Sequence, residues 1–267
     1  MSRLVAVLVA ALAALGLTAS GASSRPAPAS AAAAAQVSVS VPDDLVEGER
    51  YEVRVKVGRT AGARKILLQR QVTAPYADPT WETVKAKRVA GKKRHTFRAV
   101  AGEADADRYR ARVLYADRRP AMSRTATSTV WHWTALTDFD DYFSTGSSSI
   151  YFPFAINGQQ HTGWAAYSTV PSWETRWTVG RHCKALRGDL GLQDTSADGA
   201  SAVVRLVADE TQVVFTSATL TPGTVQHVEL PLALPYRLAV QAQNTSTADL
   251  KTLPAFGAPE LLCTGLG

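Results

Sequence analysis

From Val37 to about Trp133, apolar and polar residues alternate in short runs separated by Gly, Pro and Asp turns. Tyr51, Val53, Val55 and Val57 fall on one side of such a run, and Glu52, Arg54 and Lys56 fall on the other. A period of two is the mark of a half-buried strand. Val37–Val41 opens the series, and Lys65–Val72, Trp81–Ala90, Arg94–Val100, Arg108–Ala116 and Ser123–Trp133 continue it. Seven strands with no helical window predict an antiparallel β-sandwich over residues 37–135. Strands resume at Ile150–Ile156, Trp173–Val179, Cys183–Leu192, Ala202–Ala208, Gln212–Ser217, Val225–Leu230, Tyr236–Gln243 and Glu260–Thr264. Turn signals punctuate them at Asn157-Gly158, Asp198-Gly199, Asp209-Glu210 and Pro222-Gly223. About eight strands in residues 137–267 predict a second sandwich, of jelly-roll type. The expected fold class is therefore all-β, with two antiparallel β-sandwich domains.

Between the two series, residues 134–149 read TALTDFDDYFSTGSSS and are expected to form a linker at the seam. Asp138, Asp140 and Asp141 offer oxygen ligands of the kind calcium takes, or simply keep the linker solvated. No other cofactor is implied. Upstream, Met1-Ser2-Arg3 gives a basic start, Leu4 to Leu17 an apolar run and Ala19 to Ala22 small residues. That is the pattern of a cleaved secretory signal peptide, residues 1–22, with cleavage as late as residue 31 an alternative. Residues 23–36 form a low-complexity Ala/Pro/Ser lead-in. The apolar run is shorter than the ~20 residues that span a bilayer, and no second run follows, so an exported protein without a membrane span is expected.

Charge divides the chain in the same place. Residues 36–136 hold 20 Lys and Arg against 11 Asp and Glu, whereas residues 137–267 hold 7 against 12. A basic half beside an acidic half supports two domains with different surroundings. Lys85, Lys87, Arg88, Lys92, Lys93 and Arg94 crowd the Ala90-Gly91 turn. They read either as a solvated hairpin or as a foot on anionic wall polymer, such as teichoic acid or an acidic glycan. Nucleic acid is disfavoured as a partner, because export removes the usual target and no recognition helix is visible. The chain has two cysteines, Cys183 on an early strand of the second series and Cys263 on its last. In an exported protein this placement predicts one disulfide, worth roughly 4–5 kcal/mol for a closed loop of about 80 residues.

The ILLQRQV strand, Trp81-Glu82-Thr83-Val84 and Tyr109-Arg110-Ala111-Arg112-Val113 together resemble bacterial immunoglobulin-like domains of secreted actinobacterial proteins. The resemblance implies a spacer or adhesion module over residues 37–135. Residues 137–267 resemble the NPCBM family, a carbohydrate-binding module found beside glycoside hydrolases, with a jelly-roll, galactose-binding-like fold. The match rests on Ile156-Asn157-Gly158-Gln159, Trp177 to Cys183, Gly191-Leu192-Gln193-Asp194, Thr219 to Gly223 and Phe256 to Leu261. Gln193 and Ala258 stand where the family carries acidic residues, so a role in holding an ion or a sugar hydroxyl would be lost there. The Cys183/Cys263 pair resembles an exported actinobacterial branch.

Sugar binding requires an apolar platform for the C–H face of a pyranose and convergent polar groups for its hydroxyls. Trp164, Tyr167, Trp173 and Trp177 lie close together, with His161, Glu174 and Arg176 interleaved. On a strand Trp173, Thr175 and Trp177 share one face and Glu174 and Arg176 the other, so one set at most lines a surface site. Trp177 is expected in the core, Trp173 on either side. Trp164 and Tyr167, in a loop-like stretch, are the candidate platform, unless both rings plug the end of the sandwich. Trp131 and Trp133 are expected at the seam. Enzyme signals are weak: no Gly-x-Ser-x-Gly elbow, no zinc-spaced His pair, and a cysteine beside His182 already committed to a disulfide. A hydrolytic pair among Asp138, Glu174, Asp194 and Asp209 stays open, since carboxylate separation is invisible in sequence. The expectation is a secreted, non-catalytic protein attached to polysaccharide or cell-wall glycan. The alternative is a structural or protein-interaction module with a decayed sugar site.

Overall fold

The computed structural model describes residues 37–265 apart from 75, 118 and 248. The expected signal peptide and lead-in, residues 1–36, lie outside the described residues. No helix among them is long and apolar enough to cross a membrane. The first half comprises β1 (Val37–Ser40), β2 (Asp44–Val46), β3 (Arg50–Val57), β4 (Ala63–Val72), β5 (Thr80–Arg88), β6 (Arg94–Val100), β7 (Ala106–Tyr115), β8 (Ala121–Met122) and β9 (Ala126–Ala135). A short 3-10 helix, Leu136–Asp138, follows. Then come β10 (Asp141–Thr145), β11 (Ser147–Ile156), β12 (Gln159–Ala166), β13 (Ser172–Thr178), β14 (Cys183–Leu192), β15 (Ala202–Ala208), β16 (Gln212–Thr216), β17 (Val225–Pro231), β18 (Arg237–Asn244) and β19 (Pro254–Cys263).

The fold is all-β and built as two sandwiches. In the first, sheet β1-β3-β6 packs on sheet β5-β4-β7-β9, to which β8 and β2 add short pairings. All its pairings are antiparallel except β2 with β9, which is parallel. Strict alternation in β3 turns Tyr51, Val53, Val55 and Val57 inward onto Ile66, Leu68, Phe97 and Val113. In the second, β10-β13-β18-β15-β16 packs on β11-β12-β19-β14-β17. Trp164, Trp173, Trp177, Leu186, Leu190 and Phe256 are fully buried between them. Two hairpins there turn on paired left-handed residues, Asn157 and Gly158 (φ 49° and 76°) and Asp209 and Glu210 (φ 47° and 69°). The first is a two-residue loop between paired Ile156 and Gln159, the type I′ geometry that matches strand twist and that the Asn-Gly signal announced.

Three expectations fail on the backbone. The seam is not a linker: β9, the 3-10 helix, β10 and β11 fill residues 134–149, and Leu136 and Phe139 are buried. Segment 159–166 is not a loop but β12, which pairs with both β11 and β19. The Ala90-Gly91 turn is not a hairpin, because β5 pairs with β4 while β6 pairs with β3. The turn carries the chain from one sheet to the other.

One strand joins the sandwiches. β9 pairs with β7 and β2 through residues 126–131, then with β19 through residues 132–135. Along β19 the first half pairs with β12 and the second with β9. Trp131 and Trp133 do lie at this seam: Lys184 sits over the Trp131 ring at 3.9 Å and Arg187 over the Trp133 ring at 4.0 Å. Lys184 also meets Asp44 of β2 at 3.6 Å. The expected disulfide is present, Cys183 to Cys263, with Cα atoms 4.0 Å apart. It bridges register partners at the ends of β14 and β19, and Cys263 is paired on its other side with His132 of β9.

Candidate functional site

Strand β13 divides its residues as period-two alternation requires. Trp173, Thr175 and Trp177 are at most 1% exposed and point into the core, while Glu174 and Arg176 point out. Pairing extends that outward set across the sheet. Thr145 of β10 is opposite Glu174, Glu174 is opposite Gln241 of β18, and Gln241 is opposite Arg205 of β15. With Gln243 and Thr245 these residues line an open groove of about 400 Å³. The Arg176 Nε and Nη2 donate to Glu174 Oε1 and Oε2 at 2.8 and 3.1 Å, and Gln241 Nε2 donates to Oε1 at 2.8 Å. Burial pushes the Glu174 carboxyl up, but these hydrogen bonds outweigh it and hold the pKa below the usual carboxylate range. Beside the row, Phe143 lies under the Arg176 guanidinium at 4.8 Å, and the residue is 40% exposed. The groove adjoins a second hollow lined by Thr169, Val170, Pro171, Asn244, Ser246 and Asp249.

The sequence-derived site residues scatter. Trp164 is 0% exposed, and its Nε1 donates to Thr175 Oγ1 at 2.8 Å. It is core, not platform, because β12 is covered on both faces where it passes under β13. Trp173 is core as well, with its Nε1 donating to the Ser168 carbonyl at 2.7 Å. His161 is buried beside Phe154 on the opposite sheet, and its ring lies so close to Gly257 that a Cβ there would meet it at 2.6 Å. Glu174 lines the groove. Tyr167 stands 67% exposed after β12, and its backbone N–H bonds the Gly146 carbonyl, one residue from Thr145. Thr145, Arg205, Gln241 and Phe143 were missed. The outward phase of β13 points to such a row, but its cross-strand partners depend on pairings 29 to 67 residues apart that no local pattern specifies.

Elsewhere the polar candidates serve the fold. Asp194 Oδ2 accepts the Gly158 N–H at 2.8 Å, and Asp209 Oδ1 accepts those of Tyr236 and Arg237. Gln193, at one of the drifted positions, donates to the Ala166 carbonyl. Among the described residues no three His, Cys, Asp or Glu gather to hold a metal ion, and Asp138, Asp140 and Asp141 form no such group. In the basic cluster, Lys85 and Lys87 donate to the Arg98 and Thr96 carbonyls of β6. These two lysines run along an edge strand and bridge the two sheets. Arg88, Lys92, Lys93 and Arg94 remain exposed.

No protein-family model and no curated protein matches the chain. Among solved structures, the CBM51 module from Clostridium perfringens GH95 in complex with methyl-galactose aligns with 48% of this chain and 99% of its own. The identity is 16% and the TM-score 0.37. The M60 catalytic domain with two CBM51 domains from Clostridium perfringens ZmpB aligns with 86% of this chain at 11% identity and a TM-score of 0.40. The present chain spans 31% of that structure. A CBM36 module in complex with calcium and xylotriose aligns at 14% identity, covering 47% of this chain and 98% of its own, with a TM-score of 0.26. At these identities and scores the likeness assigns neither ligand nor activity.

Proposed function

We propose that this is a secreted, non-catalytic carbohydrate-binding protein, with an immunoglobulin-like domain over residues 37–135 and an NPCBM-like jelly roll over residues 137–267. The observation that carries the reading is the groove on the β10-β13-β18-β15 face. There an ionised acceptor, Glu174, stands in one row with the donors Gln241 and Arg205 and the hydroxyl of Thr145. Such convergence suits the hydroxyls of a glycan, and the exposed Phe143 ring supplies an apolar edge for a pyranose face. The partner is cell-wall or extracellular polysaccharide. Because Glu174 is hydrogen-bonded on both oxygens, it orients and accepts and is poorly placed as an acid or base. The same saturation favours one competing reading, a structural or protein-interaction module whose sugar site has decayed.

A polysaccharide pull-down with the full chain separates these. Under the proposal the wild type is retained on at least one neutral polysaccharide, and Glu174→Ala or Gln241→Ala abolishes retention without lowering the melting temperature. If no polysaccharide retains the protein, the module reading replaces this one. If both variants bind as the wild type does, the glycan does not sit in this groove.

A further inference from the structure

Strand β7 presents three arginines, Arg108, Arg110 and Arg112, on the outer face of the first sandwich, at every second residue. At the rise of an extended strand their attachment points are about 7 Å apart. Two are steered by neutral side chains. Arg110 Nε donates to Gln69 Oε1 at 2.8 Å, and Arg108 Nη1 approaches Gln71 Oε1 at 3.4 Å. Arg110 also lies over the Trp81 ring at 4.3 Å. Cross-strand neighbours on this face are Thr127 for Arg108, Gln69 for Arg110, and Leu67 and Met122 for Arg112. None is a carboxylate, and no ion pair among the described residues includes any of the three arginines.

Other cations show what an ordinary solution looks like. At the seam, Arg187 pairs with Glu260 at 2.6 Å and Lys184 with Asp44 at 3.6 Å. On β13, Arg176 pairs with Glu174 two residues away. Three guanidinium groups on one strand repel one another, and burial together with the charge of Arg112 lowers the pKa of Arg110. An arrangement that tolerates this repulsion, and orients the forks with amides that leave the charge uncompensated, is complementary to an external row of anions.

We propose that the β4-β5-β7 face binds a linear polysaccharide bearing carboxylates, with Arg108, Arg110 and Arg112 each engaging an anionic group along it. Apolar ground between the charges decides for a polysaccharide over a bare phosphate polymer. Leu67, half-exposed Trp81 and the 42% exposed Met122 offer surface for the C–H faces of sugar rings. The face is distinct from the groove at Glu174 and from the Ala90-Gly91 turn.

Polygalacturonate is the probe, titrated into the full chain at low and at physiological salt, with dextran, polyphosphate and single-stranded DNA as comparison arms. The expected result is binding of polygalacturonate but not dextran, weakening with salt. The triple variant Arg108→Gln/Arg110→Gln/Arg112→Gln should bind on the order of tenfold more weakly. An equal loss of charge at the turn, Lys92→Gln/Lys93→Gln/Arg94→Gln, should leave affinity within about twofold, since Arg94 begins β6 on the other sheet. Should the Gln triple fail to fold, the charge-preserving Arg→Lys triple takes its place and should still weaken binding, since an ammonium cannot fork onto a carboxylate. Glu174→Ala should leave this binding intact, so failure of the groove and failure of this face are distinguishable. Three outcomes overturn the proposal: no binding, equal weakening by the turn variant, or polyphosphate or DNA binding as tightly as polygalacturonate.

Discussion

Strands β7 and β13 each turn one polar side chain into a core, and they hold it by different means. Asp107 of β7 is 1% exposed and accepts from the Tyr51 hydroxyl at 2.8 Å and from Arg70. Burial, with the neighbouring Tyr109 and Asp107, pushes the Tyr51 phenol far above its usual range, so it stays a donor. Thr175 of β13 is fully buried and neutral, and accepts from Trp164 Nε1 while sharing a hydrogen bond with Ser147 at 3.1 Å. On the outer faces the contrast reverses. β13 sets Glu174 beside Arg176, whereas β7 sets arginine beside arginine. Strand β7 therefore satisfies its charge on the inner face and leaves it open on the outer one, whereas β13 keeps ions off its inner face and pairs them on the outer one. Unpaired charge is a better pointer to a partner than the amount of charge.

The deepest test of that contrast is Asp107→Ala. Removing one member of a buried ion pair leaves Arg70 without its counter-charge, which costs about 3–5 kcal/mol. Urea unfolding should show it as a large fall in midpoint, and a loss below about 1 kcal/mol would mean the cluster does not hold the sandwich together. Thr175→Val keeps the shape but removes the acceptor of the Trp164 N–H, and should cost about 1–3 kcal/mol in the same assay. If it costs as much as Asp107→Ala, the distinction between ionic and neutral cores fails.

The smallest effect belongs to the surface pair. Arg176→Ala should shift stability by less than about 1 kcal/mol while the Glu174 pKa, followed by NMR titration, rises toward its ordinary value of 4.5. Because the folded pKa lies below that value, the contribution of Glu174 is present above pH 4.5 and is lost as pH falls through the lower folded pKa. A Glu174 that titrates identically in both proteins would remove the pairing from the account.

Alternation alone made much of this legible. It phases β3 and β13, and it separates Trp173 and Trp177 from Glu174 and Arg176 before any pairing is known. The Asn157-Gly158 turn and the Cys183–Cys263 bridge were legible too, since each depends on a local signal or on a single possible pairing. β12 was not, because His161, Gly163, Trp164, Ala165 and Ala166 are all buried and the period disappears. β10 was missed for the opposite reason: DYFST is exposed throughout and acidic at its start, so it reads as linker. The seam escaped because a strand that changes partners midway looks, in one dimension, like any long strand. Tyr167 and Glu174 could be singled out, but not the row Thr145, Gln241 and Arg205, which exists only once distant strands are in register.

That change of partners fixes directions in space. Val130 points into the first core, and His132 and Thr134, in phase with it on β9, stand opposite Cys263 and Leu261 of the second. Both opposing sheets thus lie on the same side of the continuous sheet. The arginines of β7 look out from its other side, and the Glu174 groove looks the opposite way, across the thickness of a sandwich. With a paired strand where a linker was expected, the two faces cannot swing round to grip one polymer together, so linking them adds no avidity on a single straight chain. Were both proposed faces occupied at once, they would hold two chains on opposite sides of the molecule, which is the geometry of a cross-link.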